Sequence, residues 1–260
     1  MNTFMQISRA VHMLDRLISD AQSAAENLAR VTEEILSDQI IGQACGLRLS
    51  CQHRQALIVP IHATLQRNPW CNGAGFASYA PPTSVEEGYW TLEWWFQEGQ
   101  NIRKAQLEQN QELRQRLDFR AFDWFGQPAR RHKPFMEGPY VDYICNGAYT
   151  ITAAHPVLID KNFAGVAAVD LLVSKLDHLI LPALVAIEQP ALIVNGEGRV
   201  VTSTCPQLRP GSLWKDNANG QIVSDNSRAL RMVVLPHTRS SQQPHIATGQ
   251  FLSTGDCHLP

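Results

Sequence analysis

Carboxylates and aromatic rings alternate through the middle of this chain. Asp142 and Asp170 are acids set in apolar runs, and Tyr140 stands two residues before the first of them. Trp94, Trp95, Trp124, Phe125 and Tyr143 supply large rings on either side. An aromatic face attracts a cation, by about 2 kcal/mol or more once water is excluded. A carboxylate adds a charge-assisted hydrogen bond to an ammonium group. Gathered into one cavity, these residues would hold a small cation. Each also has a plainer reading. The tryptophans serve as core packing, and Asp170 serves as the cap of a helix that begins at Leu171. A third reading makes Asp142 or Asp170 a general base acting on a small amine.

Other chemistries lack their patterns. There is no GxSxG, HExxH, phosphate-binding loop or dinucleotide fingerprint, and Gly73-Ala74-Gly75 is too short a match to carry meaning. The six cysteines, at 45, 51, 71, 145, 205 and 257, show no CxxC and no metal-ligand spacing, so they read as reduced thiols. No metal or cofactor is expected. His155, between Ala154 and Pro156, reads as a partly buried imidazole. Arg130-Arg131-His132-Lys133 reads as an exposed basic loop.

The elements that must position these groups follow from pattern. Phe4, Ile7, Val11, Leu14, Ile18, Ala21, Ala25, Leu28 and Ile35 recur at three- and four-residue steps, with Thr32 in the seam. That spacing predicts one helix over 4–41, pairing with a second copy or lying along its own domain. Gly46 is a candidate C-cap for it, and a second helix is expected over 54–68. Residues 73–79 and 89–97 read as strands. In the second, Trp90, Leu92, Trp94 and Phe96 share one face, and Tyr89, Thr91, Glu93 and Trp95 the other. The polar stretch 101–117 reads as a solvated helix.

Gly138-Pro139 opens a turn. Two β-rich runs follow, joined at Ile159-Asp160-Lys161-Asn162, and read as a hairpin. A helix is expected over 171–187, and a second hairpin closes at Asn195-Gly196-Glu197-Gly198. Further strands are expected at 221–223 and 230–235, followed by a loose tail. The order predicts an α+β fold with mainly antiparallel pairing. It divides into a long N-terminal helix (1–45), a ligand-binding module (46–178), a smaller α/β module (179–236) and the tail (237–260).

With 44% hydrophobic and 18% charged residues the chain buries a core, and a net charge of −2 gives no general attraction for nucleic acid or an anionic membrane. No run reaches the roughly 18 apolar residues of a membrane span. Nor does the start of the chain look like a signal peptide. The expectation is a soluble, cytoplasmic protein.

The central motifs carry a family resemblance. Trp124-Phe125, then Gly138-Pro139-Tyr140-x-Asp142, Tyr149-x-Ile151-Thr152-x-Ala154-x-Pro156-Val157 and Gly165-Val166-x-x-x-Asp170 resemble the Cache sensor domains. These are PAS-like ligand-binding modules of bacterial receptors. The match covers about residues 120–175, and the long first helix and late hairpin suit the double Cache layout. The resemblance implies a PAS-like antiparallel-sheet Cache module and a smaller C-terminal PAS-like module. It implies a pocket lined by the residues matching Trp124, Tyr140, Asp142 and Asp170, the two acids holding a ligand's amino group. Trp94 and Phe125 join that set on the reading of the aromatic pattern.

Amino-acid-binding members have an Arg two residues before the Trp. Here that position is Phe122, with Arg120 as a substitute two residues earlier. The departure implies an amine or quaternary ammonium ligand. Without transmembrane helices or an output segment, the chain resembles a free-standing cytoplasmic form. A sensor of that kind is expected to form a homodimer and to signal to a separate partner, a transcription regulator among the candidates. Competing expectations are an amine-processing enzyme and a scaffold whose long helix is the working part.

Overall fold

The computed structural model describes residues 2–39, 47, 49–82, 88–105, 118–143, 147–215, 220–224 and 229–236. Helix α1 (Thr3–Ile35) starts at Asn2, whose side chain accepts from the Phe4 amide at 3.1 Å. It ends six residues short of the expected 41, in a turn over 36–38. The proposed Gly46 cap and the loose tail lie outside the described residues. The stripe on α1 is buried against the chain's own sheet: Leu14, Ile18, Ala21, Ala25 and Leu28 join the main core with Ile151, Ala153 and Val169. Alanines at 10, 21, 24, 25 and 29 let the helix approach closely. Phe4, at the start of the stripe, is exposed instead.

Helix α2 (Cys51–Arg67) is capped by Ser50, which accepts from the His53 amide, and buries Leu57, Ile61 and Leu65. The larger sheet is made of β1 (Cys71–Ala80), β2 (Tyr89–Glu98), β3 (Asn101–Lys104), β4 (Phe135–Asp142), β5 (Ala148–Ile159) and β6 (Asn162–Leu172). Its order is β3-β2-β1-β6-β5-β4, antiparallel at every step. The start of the polar stretch expected to be helical is therefore strand β3, pairing Asn101 to Lys104 with the end of β2. Residues 106–117 lie outside the description. Among the described residues between β3 and β4 are a 3-10 turn (Phe119–Ala121) and α3 (Asp123–Arg131), which turns the expected basic loop into a helix end.

Helix α4 (Val173–Val185) leads to a second antiparallel sheet, order β8-β7-β10-β9, of β7 (Ala191–Asn195), β8 (Val200–Ser203), β9 (Gln221–Ser224) and β10 (Leu230–Val234). One face of this small sheet, with Ile193, Val201 and Met232, joins the α1 core. The α+β class and the two PAS-like sheets are as the sequence predicts.

Alternation along the strands splits the large sheet into two faces. Ile151, Ala153, Val169 and Leu171 face α1, whereas Ala154, Val166 and Ala168 face the aromatic cluster of Trp94, Phe119, Trp124 and Phe125. On the α1 and α2 side, Glu93 has no exposed surface. Its carboxylate accepts from Arg54 at 3.1 Å and from Lys104 at 2.7 Å, and Trp95 Nε1 donates to it at 3.2 Å. Arg54 also reaches the Tyr89 hydroxyl at 3.1 Å, so this knot ties α2 to β2 and β3. Removing one partner of a buried ion pair strands the other charge. Since Lys104 remains, Arg54→Met should lower unfolding free energy by about 2–3 kcal/mol, near the low end for such losses. Urea denaturation checks this, and a midpoint within error of wild type would show the knot to be energetically idle.

Candidate ligand-binding site

Three adjacent strands place one row of residues across the aromatic-side face. In the register, Gly73 of β1 sits opposite Asp170 of β6, which sits opposite Thr152 of β5. Cross-strand neighbours share a face, so their side chains meet. Thr152 Oγ1 donates to Asp170 Oδ1 at 2.6 Å, and the Tyr140 hydroxyl lies 2.7 Å from Thr152 Oγ1. Thr152 has one proton and gives it to the acid, so the phenol donates to Thr152. Asp142, the last residue of β4, completes the cluster. Asp142 and Asp170 are 5% and 4% exposed.

Burial, then the nearby charge of Asp142, holds the Asp170 carboxyl well above the usual carboxylate range, against the pull of the Thr152 hydrogen bond. The Tyr140 phenol is raised by the same causes, burial first and Asp170 next. The buried Cys71 thiol is pushed up to about 12, by burial and then by Asp170. Among the described residues Asp170 has the Thr152 hydroxyl as a hydrogen-bond partner and no ion pair. Two acids buried together favour an added cation.

Rings close the site. Trp94 and Trp124 pack with centroids 6.0 Å apart, and Phe119 stacks on Trp124 at 6.1 Å. Phe125 meets the edge of Phe119 at 4.9 Å, and Phe122 leans on Tyr140 at 5.1 Å. Glu137 fixes α3 by accepting from the Trp124 amide at 2.6 Å, and burial raises its pKa. The rings touch one another over the acids. Two open clefts lie outside this cluster, one of about 490 Å³ between β4, where Tyr140 borders it, and the β7–β8 turn, another of about 660 Å³ between α1 and α2. Volume alone does not define a binding place; convergent polar groups do, and those surround Asp170.

The structure thus brings together Trp94, Trp124, Tyr140 and Asp170, with Asp142 at the strand end and Phe125 one ring further out. It leaves out Tyr143, which is 64% exposed, and Trp95, which lies on the opposite face with its ring edge-on to His62 at 4.5 Å. Asp170 is no helix cap, because β6 runs through Leu172 and α4 begins at Val173 without a side-chain cap. Arg120 is engaged within the protein. It is held on both oxygens of Asp118 and lies over Tyr79 at 4.1 Å and Trp90 at 4.7 Å.

Sequence reasoning missed Gly73 and Gly75. A Cβ on Gly75 would stand 2.7 Å from Trp94 Cε3, and one on Gly73 would stand 3.0 Å from Trp94 Nε1. The two glycines let the indole lie flat on β1, and their period-two spacing was the available signal. Thr152 was also missed as a site residue, although it stands in the motif.

No protein-family model matches the chain. No curated protein matches it either. Solved structures do. The chain is similar to the extracellular domain of soHK1S-Z6, described as a histidine kinase, at 16% identity, TM-score 0.62, covering 88% of this chain and 90% of that one. It is similar to a methyl-accepting chemotaxis protein X at 14% identity and TM-score 0.55, covering 89% and 97%. It is also similar to the ligand-binding domain of the Campylobacter jejuni chemoreceptor Tlp3 in complex with L-valine, at 14% identity and TM-score 0.55, covering 88% of each chain. The chain shares the Cache-like fold of these solved domains. This corrects the cytoplasmic expectation, since three of the solved domains that match are extracellular domains, described as those of histidine kinases. That expectation leaned on an absence. No described helix is long and apolar enough to cross a membrane, which is a statement about those helices alone.

Proposed function

We propose that this protein is a ligand-sensing module, without catalysis, that takes a small molecule carrying an ammonium group between Asp170 and Asp142. The observation that carries the reading is the Asp170 carboxyl, buried beside a second buried acid and pulled toward its neutral form. An ammonium restores the charge on Asp170 and removes the repulsion. Trp124, Trp94 and Tyr140 then supply an aromatic wall for the ligand's body. The solved domains of this fold are sensory domains, and the Campylobacter jejuni one holds amino acids, which carry the same ammonium group.

Phe122 against Tyr140 and the engagement of Arg120 with Asp118 leave neither position to supply a cation for a ligand carboxylate. Burying such a group unpaired costs several kcal/mol. Amines and quaternary ammonium compounds are therefore favoured over α-amino acids. A shift of the rings on binding is the movement a separate output partner, such as a transcription regulator, would read. A homodimer would couple two such movements.

A thermal-shift panel that pairs each amine with its parent α-amino acid tests the class. A ligand at one hundred times its Kd adds about 2.7 kcal/mol of stability, a shift of several degrees. We expect amines to reach that shift and the amino acids to fall well short. Larger shifts with the amino acids would refute the Phe122 argument, and turnover of a bound amine would favour the general-base reading.

A further inference from the structure

Trp94 is 4% exposed, and its indole Nε1 is buried without a hydrogen-bond partner. A buried donor left unpaired is rare and destabilising. The point where a Gly73 side chain would begin lies 3.0 Å from Trp94 Nε1 and 2.8 Å from Asp170 Oδ2. The Thr152 hydroxyl occupies the other oxygen, Oδ1. One donor and one acceptor thus converge over Gly73, and only a glycine there leaves room for both.

An ammonium group cannot serve both the indole and the acid, because it has no lone pair to offer the indole. A carboxylate oxygen would accept from the indole but would oppose an ionised Asp170. A hydroxyl satisfies both, accepting from Trp94 Nε1 and donating to Asp170 Oδ2. We propose that the ligand is an amino alcohol, its hydroxyl read by Trp94 and Asp170 over Gly73 while its ammonium lies between Asp170 and Asp142. This rests on the ammonium reading above and narrows it. Gly73 and Trp94 become the specificity-determining residues of the site.

Calorimetry with three probe pairs tests it: ethylamine and ethanolamine, sec-butylamine and 2-amino-1-butanol, phenethylamine and 2-amino-1-phenylethanol. A hydrogen bond to a charged group corresponds to about tenfold in affinity or more. At least one hydroxylated member should bind about tenfold tighter than its partner. That ratio should fall to about one in Trp94→Phe and in Gly73→Ala. The ratio within a pair cancels any general loss of affinity or stability in a variant.

A second readout needs no variant to bind well. The Trp94 indole N–H resonance, assigned by its disappearance in Trp94→Phe, should move downfield with the hydroxylated probe and stay in place with the plain amine. Plain amines that bind as tightly as their hydroxylated partners overturn the amino-alcohol inference and leave the ammonium reading standing. The same holds for an indole N–H that no probe moves, which would mean that water satisfies it. Tighter binding by 2-aminobutyric acid than by 2-amino-1-butanol also overturns it. If no member of any pair binds, the ammonium reading fails, and this inference with it.

Discussion

Asp170→Asn should weaken binding of an ammonium ligand about tenfold to a hundredfold, because a hydrogen bond to a charged group contributes about 1.5–3 kcal/mol. The same change should leave the ligand-free protein at least as stable at neutral pH. The sign follows from linkage. Burial and Asp142 raise the folded-state pKa of Asp170 above its unfolded value of about 3.9. Its contribution to stability is complete below that unfolded value. It is lost as pH rises through the raised folded value, because the unfolded chain releases the proton more readily. Asn cannot ionise, so the variant lacks this decline. Unfolding curves from pH 4 upward should therefore fall more steeply for wild type than for Asp170→Asn. Saturating ligand should flatten the wild-type curve, since an ammonium favours the ionised acid. Equal affinity in the two proteins, measured by calorimetry, would remove Asp170 from the site. Parallel pH curves would show that its carboxyl titrates normally.

Replacing Leu14 and Ile18 together with Asp should abolish folding. Both are buried under α1, Leu14 with no exposed surface and Ile18 at 5%. Each substitution buries an unpaired charge at several kcal/mol. The pair consumes most of the roughly 5–15 kcal/mol that holds a domain together. Circular dichroism should show no cooperative melt. A folded monomer would instead mean that the stripe serves contacts between copies. The homodimer proposed here has to use residues outside the buried stripe, with Phe4 and Met5 the exposed apolar candidates at the start of α1. Sedimentation of a Phe4→Asp, Met5→Asp variant tests that separately, because those positions contribute nothing to the core.

Several features were legible because their causes are local. Alternation along β2 correctly put Trp90, Leu92, Trp94 and Phe96 on one face and Glu93 and Trp95 on the other. The Asn195-Gly196-Glu197-Gly198 turn closed the hairpin it was expected to close. The apolar stripe of α1 marked a buried helix face, as a period near 3.6 must. The acids Asp142 and Asp170 and the rings around them could be named from the motifs, since side-chain chemistry is written in the sequence.

What lay beyond the sequence was which distant partners these groups meet. Whether the α1 stripe faces a second copy or its own sheet depends on what β5 and β6 offer it. Trp94 and Trp95 look alike in the chain, yet they lie on opposite faces, one over Gly73 and Gly75, the other with Glu93 and His62. Asp170 sits two residues inside the end of a strand because pairing with β1 and β5 carries β6 past it, where local pattern alone suggested a helix cap. Arg120 is occupied by Asp118 and lies over Tyr79 and Trp90, which no spacing rule announces. Periodicity assigns a residue to a face. Only the register between strands far apart in sequence decides which donor meets which acceptor there.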